Sequence, residues 1–324
     1  MFTEIPYFRQ ELPADLNRVN AVITAQVRSE VVLIEQIGQY IIGAGGKRLR
    51  PITAILAGKA LGYDADELYR QAAMVEFIHT STLLHDDVVD ESDKRRGRAT
   101  ANNLFGNAAA VLVGDFLYTR AFQLMVGAGS MKLMQVMADA TNIIAAGEVM
   151  QLINIGNTDL TENEYLTVIQ SKTAKLFEAA AQVGAILAQA TPEQENALKN
   201  YGMHMGTAFQ IVDDILDYAG NGEDIGKNLG DDLAEGKATL PLIYLMQHGS
   251  PQAADAVRDA LTHARRDNFP RIHEYIMQSD ALAYSRQHAQ AAADAACACL
   301  QALPANAYTD TLQQLAQQSV LRLN

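Results

Sequence analysis

The chain has 324 residues, 49% hydrophobic and 19% charged, with a formal net charge of −13. This is enough apolar chain for a large core and excludes disorder, while the acidity excludes nucleic acid and anionic membrane as general partners, because both need a basic surface. Two cysteines, Cys297 and Cys299, exclude a disulfide scaffold and fit a reduced compartment.

From Asp15 to Ile42 the apolar residues Leu16, Val19, Ile23, Val27, Val31, Ile34 and Ile37 recur at three- and four-residue steps, predicting a pair of amphipathic helices. Gly43-Ala44-Gly45-Gly46 ends that run, and Pro51 suits the first turn of the next helix. No proline falls between Ile52 and Thr191. Helices are predicted over 51–61, 65–91, 101–127, 130–155, 162–190, 193–220, 237–248, 251–265, 270–278, 280–301 and 308–323. The stretch from Ala108 to Met125 is apolar almost all round, which predicts a central or subunit-contact helix. Ala219 to Gly236 lacks periodicity and reads as a mobile loop. No strand alternation, repeat, linker, leader or run of eighteen apolar residues is evident, so the expectation is one all-α domain over 1–324, soluble and cytoplasmic, with no integral membrane segment.

Two acidic quintets carry the chemistry. Residues 86–90 read Asp-Asp-Val-Val-Asp and residues 213–217 read Asp-Asp-Ile-Leu-Asp. On a helix Asp86 stands one turn from Asp90, and Asp213 one turn from Asp217. Ionised carboxylates among Leu83, Leu84, Val88 and Val89 need a counter-charge, and oxygen-only ligands point to magnesium bridging to a phosphate. One such cluster alone would pass for a solvated helix face; two are expected to face each other across a cavity. A calcium loop is excluded by the missing glycine and glutamate spacing. Lys47 and Arg50 flank a helix start after a glycine-rich turn that is not a P-loop, and Arg95, Arg96, Arg98, Lys172, Lys227 and Lys237 supply further cations. With two acidic clusters these read as phosphate clamps, and two separable sets of cations suggest two diphosphate substrates.

Gly-Gly-Lys-Arg-Leu-Arg-Pro at 45–51, Leu-Leu-His-Asp-Asp-Val-Val-Asp-Glu-Ser-Asp-Lys-Arg-Arg-Gly at 83–97, Gly-Glu at 147–148, Lys-Thr at 172–173, Gln-Ile-Val-Asp-Asp-Ile-Leu-Asp at 210–217 and Gly-Lys-Asn-Leu-Gly-Asp-Asp-Leu at 226–233 follow one order. Together they resemble the trans-polyprenyl diphosphate synthase family of class I isoprenoid synthases, over nearly the whole chain. The resemblance implies the all-α isoprenoid synthase fold, a single large helical bundle around a central cavity. It implies condensation of isopentenyl diphosphate onto farnesyl diphosphate, with octaprenyl diphosphate for a quinone side chain as the expected product.

On the same resemblance, Asp86, Asp87, Asp90, Asp213, Asp214 and Asp217 would hold two or three magnesium ions. Arg95, Lys172 and Lys227 would grip the allylic diphosphate, and Lys237 would be a further substrate-binding cation. Lys47, Arg50, His79 and Arg96 would bind isopentenyl diphosphate, and Thr173 and Gln210 would face the developing carbocation. A homodimer through the 101–127 helix is implied as well. His85 is expected to make a structural hydrogen bond. Thr82, one turn before Asp86, and Ser81 beside it would floor the cavity; in the family, aromatic residues there give short products, whereas here both are small. Phe116, Phe122, Met125, Met134 or Met137 could form a deeper floor. The rival readings are a shorter-chain geranylgeranyl synthase, a terpene cyclase, which needs no second diphosphate site, and a non-catalytic partner of a synthase.

Overall fold

The computed structural model describes residues 4–95, 97–219, 229–264 and 267–321. The elements, in order, are α1 Pro6–Gln10, α2 Leu12–Val27, α3 Val32–Gly43, α4 Leu49–Ala60, α5 Asp66–Val89, β1 Lys94–Arg95, β2 Arg98–Ala99, α6 Ala101–Phe105, α7 Asn107–Gly127 and α8 Met131–Ile153. There follow α9 Glu162–Ile169, a π-helical turn Gln170–Ala174, α10 Lys175–Leu187, α11 Pro192–Ala219, α12 Asp231–Ala234, α13 Leu240–His248, α14 Pro251–His263, α15 Phe269–Met277, α16 Ala281–Cys299 and α17 Ala307–Leu321.

The fold is all-α, as expected. The departures are short. The two-residue strands pair antiparallel, Lys94 opposite Ala99, too briefly to show alternation. The helix predicted over 101–127 breaks at Gly106, whose φ of +86° leaves the helical region. The end of the predicted 219–236 loop forms α12.

The expected domain over 1–324 contains two compact units. One comprises Met1–Asp139, Leu176–Gly202 and Leu300–Gln314; the other comprises Ala140–Lys175, Met203–Cys299 and Leu315–Asn324. In the first unit α4 is buried along nearly its whole length, and α5 packs against α2, α4 and α7. Side chains such as Ile52, Ile55 and Leu56 are fully buried, each contributing about 1.5–3 kcal/mol. This unit also holds a buried ion pair that periodicity does not reveal. Lys59 Nζ donates to both Asp15 oxygens at 2.9 and 2.8 Å, and the Tyr7 and Tyr69 hydroxyls donate to the same carboxylate at 2.6 and 2.7 Å.

In the second unit the core forms around the second half of α11, where Ile211, Val212, Ile215 and Tyr218 pack with Tyr165, Leu240 and Ile243. The helix α9 starts on a reciprocal cap, with Thr161 Oγ1 accepting from the Glu164 N–H and the Glu164 carboxylate accepting from the Thr161 N–H.

Helices α7 and α8 are long and apolar enough, by length and composition, to cross a membrane. The expectation of no such segment rested on strictly continuous apolar runs, which polar residues such as Asp115 and Asn142 interrupt. Each presents an exposed apolar face: Val111, Leu112 and Val126 on α7, and Val149, Leu152 and Ile153 on α8.

Candidate active site

The first acidic quintet ends α5. Carboxylates at a helix C-terminus oppose the negative end of the helix dipole as well as each other, so a cation at Asp86 and Asp90 is electrostatically favoured. His79, Thr82, Leu83, Asp86 and Asp90 are all half-buried and follow three- and four-residue steps, which defines the open face of α5. Asp87 points elsewhere. It is buried, and its Oδ1 accepts from Arg95 Nε at 2.8 Å and Nη2 at 2.7 Å. The structure thus pairs Asp87 with Arg95, where the sequence reading put one on metal and the other on diphosphate.

Ser81 and Thr82 also part company. Ser81 is buried and donates to the Gly114 carbonyl at 2.7 Å, locking α5 to α7, whereas Thr82 lies on the open face and donates to the His79 carbonyl. His85 hydrogen-bonds the Val111 carbonyl at 3.1 Å, as expected, and lies over Gly114, where a Cβ would come within 2.3 Å of its Nε2. Of the deeper floor candidates, Met125 and Met137 are core residues.

Arg50 and His79 come together in this unit. Arg50 Nη1 lies 3.3 Å from His79 Nε2, and its guanidinium stacks 4.5 Å from the Phe177 ring centre. Lys47 lies in the turn that leads into α4, so three of the four groups assigned to isopentenyl diphosphate are borne by α4, α5 and the turn before α4. Arg96, the fourth, lies outside the described residues, as does Lys227.

The second quintet lies in the last turns of α11, again at a helix C-terminus. Gln210 and Asp213 are half-buried on its open stripe. Asp214 is buried: Tyr165 Oη donates to its Oδ2 at 2.6 Å and Gln210 Nε2 to its Oδ1 at 2.8 Å. Burial, with the charge of Asp232 adding to it, pushes this carboxyl up to about 8. With both oxygens engaged, Asp214 orients Gln210. Thr173 Oγ1 in turn donates to Gln210 Oε1 at 2.8 Å, which fixes the hydroxyl proton and leaves the oxygen lone pairs pointing away. Asp217 accepts from the Asp231 and Asp232 N–H groups, each at 3.2 Å, so it also starts α12. Lys237 is ion-paired with Glu235 at 2.6 Å.

Two participants escaped the sequence reading, and a third, Glu148, entered it only within a motif and without a role. The π-helical turn Gln170–Ala174 carries Lys172 and Thr173; an extra residue in a turn re-aims side chains and has no propensity signature. Glu148 Oε2 holds Lys172 Nζ at 2.5 Å. Tyr165 looks like any core aromatic until its hydroxyl partner is known. Gly147 explains how α8 approaches the π turn, because a Cβ there would lie 2.7 Å from the Lys172 backbone nitrogen and 2.9 Å from Ser171 Cβ. Gly147→Ala is therefore expected to cost about 1–3 kcal/mol of stability and, by moving Lys172 and Thr173, up to about 100-fold in kcat. Thermal unfolding and steady-state kinetics check both.

Among the described residues no group of three or more His, Cys, Asp or Glu side chains is placed to hold a metal ion by itself. Asp86, Asp90 and Asp213 are half-buried carboxylates that suit magnesium, which takes one or two carboxylates and completes its shell with waters and phosphate oxygens, whereas Asp217 is buried.

The polyprenyl synthetase family model matches residues 31–277. The chain belongs to the polyprenyl synthetase family. Within this family of divalent-metal-dependent prenyltransferases, it is 53% identical over 309 residues to octaprenyl diphosphate synthase of Escherichia coli, covering 95% of this chain and 96% of that one. Two solved relatives share the fold. A polyprenyl synthase from Caulobacter crescentus, complexed with calcium and isoprenyl diphosphate, is 44% identical with a TM-score of 0.93 over 96% of each chain. A decaprenyl diphosphate synthase from Rhodobacter capsulatus is 42% identical with a TM-score of 0.92, over 98% of this chain and 100% of that one.

Proposed function

We propose that the protein is a long-chain trans-polyprenyl diphosphate synthase that extends farnesyl diphosphate with isopentenyl diphosphate to octaprenyl diphosphate, which would serve as a quinone side chain. The observation that carries this reading is the pair of helix ends, on α5 and α11, that each bear carboxylates one turn apart, together with a separate Arg50–His79 cation set in the unit of α5. Both diphosphates then have a binding group, which a terpene cyclase would not need.

In this reading Asp86 and Asp90, and Asp213 with Asp217, hold two or three magnesium ions. Bound there, the metal draws charge onto the departing diphosphate and so supplies several kcal/mol toward ionisation. Lys172 and Arg95 neutralise the same leaving group, with Lys227 and Lys237 in support. Thr173 and Gln210, oriented by Asp214, direct oxygen lone pairs and dipoles at the allylic cation. Lys47, Arg50, His79 and Arg96 hold isopentenyl diphosphate in line, so that its double bond attacks and loss of a proton regenerates an allylic diphosphate five carbons longer. No side-chain nucleophile takes part. Residues 1–324 act as one synthase domain, a homodimer in the cytoplasm, and the exposed apolar faces of α7 and α8 support pairing with a second copy.

The test is incubation of the purified chain with farnesyl diphosphate, labelled isopentenyl diphosphate and magnesium, followed by chromatographic sizing of the dephosphorylated products. Octaprenol, absent with EDTA, is the expected outcome. Geranylgeraniol as the end product would leave the chemistry intact and overturn the chain length. No incorporation, with diphosphate binding retained, would make the chain a non-catalytic partner.

A further inference from the structure

The turn between α3 and α4 carries Lys47, and the residue after it has no part in the assignment above. Arg48 adopts φ +50° and ψ +31° as the N-cap of α4. A side-chain-bearing residue enters this left-handed region only when its surroundings hold it there, and glycine would fill it without strain. An arginine in that place signals that its side chain is needed. The Arg48 side chain is largely buried, at 13% exposure, and its Nη1 is ion-paired with Glu76, whose side chain is 6% exposed. Its Nη2 donates to the Ile42 carbonyl at 2.9 Å.

Glu76 lies on α5 three residues before His79, on the same side of the helix. Arg48 and Arg50 thus reach α5 one turn apart, one to a buried carboxylate and the other to an imidazole. The turn is held from its other end as well. Arg98 on β2 donates to the Gly43 carbonyl at 3.3 Å and stacks 4.7 Å from the Tyr40 ring centre, while the Tyr40 hydroxyl donates to the Ala99 carbonyl at 2.7 Å. The last two carbonyls of α3, Ile42 and Gly43, therefore each receive a guanidinium, which also complements the negative end of that helix.

We propose that Arg48 is a positioning residue for the metal-independent diphosphate clamp: with Glu76 it fixes the 43–48 turn on α5, so that Lys47 is set in place beside Arg50 and His79 before substrate arrives. This rests on the reading of those three residues as the isopentenyl diphosphate clamp. The Tyr40–Arg98 contact is the second anchor of the same turn.

The test uses the full chain and two variants. Glu76→Gln keeps the shape and a hydrogen bond to Arg48 but removes the charge; Tyr40→Phe changes no charge and loosens only the second anchor. Binding of isopentenyl diphosphate is measured calorimetrically in EDTA, and KM is measured for each substrate with magnesium. Glu76→Gln is expected to weaken isopentenyl diphosphate about 10- to 100-fold in both assays, with the KM for farnesyl diphosphate unchanged, and Tyr40→Phe to do the same to a smaller degree. If Glu76→Gln does not fold, Tyr40→Phe carries the test alone. Unchanged affinity for isopentenyl diphosphate in a folded variant, or equal losses for both substrates, would overturn the positioning role. A wild-type chain that does not bind isopentenyl diphosphate in EDTA would instead overturn the clamp reading on which the role rests.

Discussion

Asp86→Asn and Asp213→Asn are each expected to lower kcat by about 1,000-fold, because removing a carboxylate proposed to hold the metal forfeits about 4 kcal/mol of charge stabilisation on the leaving diphosphate. The loss should fall on kcat, with binding of isopentenyl diphosphate in EDTA unchanged. Asp214→Asn is the contrast. Its carboxyl is buried and accepts from Tyr165 and Gln210, and an amide would turn a donor toward one of two donors. It should lose stability, about 1–3 kcal/mol, with a smaller fall in kcat than Asp213→Asn. Kinetics and thermal melts on the three variants check the pattern.

Thr82→Phe is expected to change the product rather than the rate. Thr82 lies one turn before Asp86 on the open face of α5, and a phenyl ring there would block an alkyl chain growing past the metal-bearing carboxylates. The product should shorten from octaprenyl toward geranylgeranyl diphosphate, read by chromatographic sizing, while the first condensation proceeds at near wild-type rate. Ser81→Phe should not behave in the same way. Ser81 is buried against the Gly114 carbonyl, so a large ring overpacks the α5–α7 contact and costs about 1–3 kcal/mol or more. Octaprenyl diphosphate from Thr82→Phe would show that the chain grows along another wall.

The contrast between Ser81 and Thr82 marks what periodicity can tell. Spacing placed both near Asp86, and it located the helices and both carboxylate sets, because three- and four-residue steps report which side chains share a face. It does not report what each face meets. The resemblance grouped Asp87 with Asp86, yet adjacent helical residues point about 100° apart, and Asp87 turns inward to Arg95. Asp214 was grouped with Asp213 for the same reason and lies under Tyr165. The partners of Lys172 and Arg48, namely Glu148 and Glu76, come from other helices, 24 and 28 residues away in sequence, and only the tertiary packing brings them together. The π turn at Gln170–Ala174 is likewise a response to packing, in which α8 approaches through Gly147.

In the proposed function two diphosphates are held by different means, one through metal on aspartates and one by cationic side chains alone. Calorimetric titration of the wild-type chain with isopentenyl diphosphate and with a non-ionising thio analogue of farnesyl diphosphate, each with magnesium and with EDTA, tests it directly. The farnesyl analogue is expected to bind only with magnesium, and isopentenyl diphosphate with or without it. Equal dependence of the two ligands on magnesium, or independence of both, would contradict it.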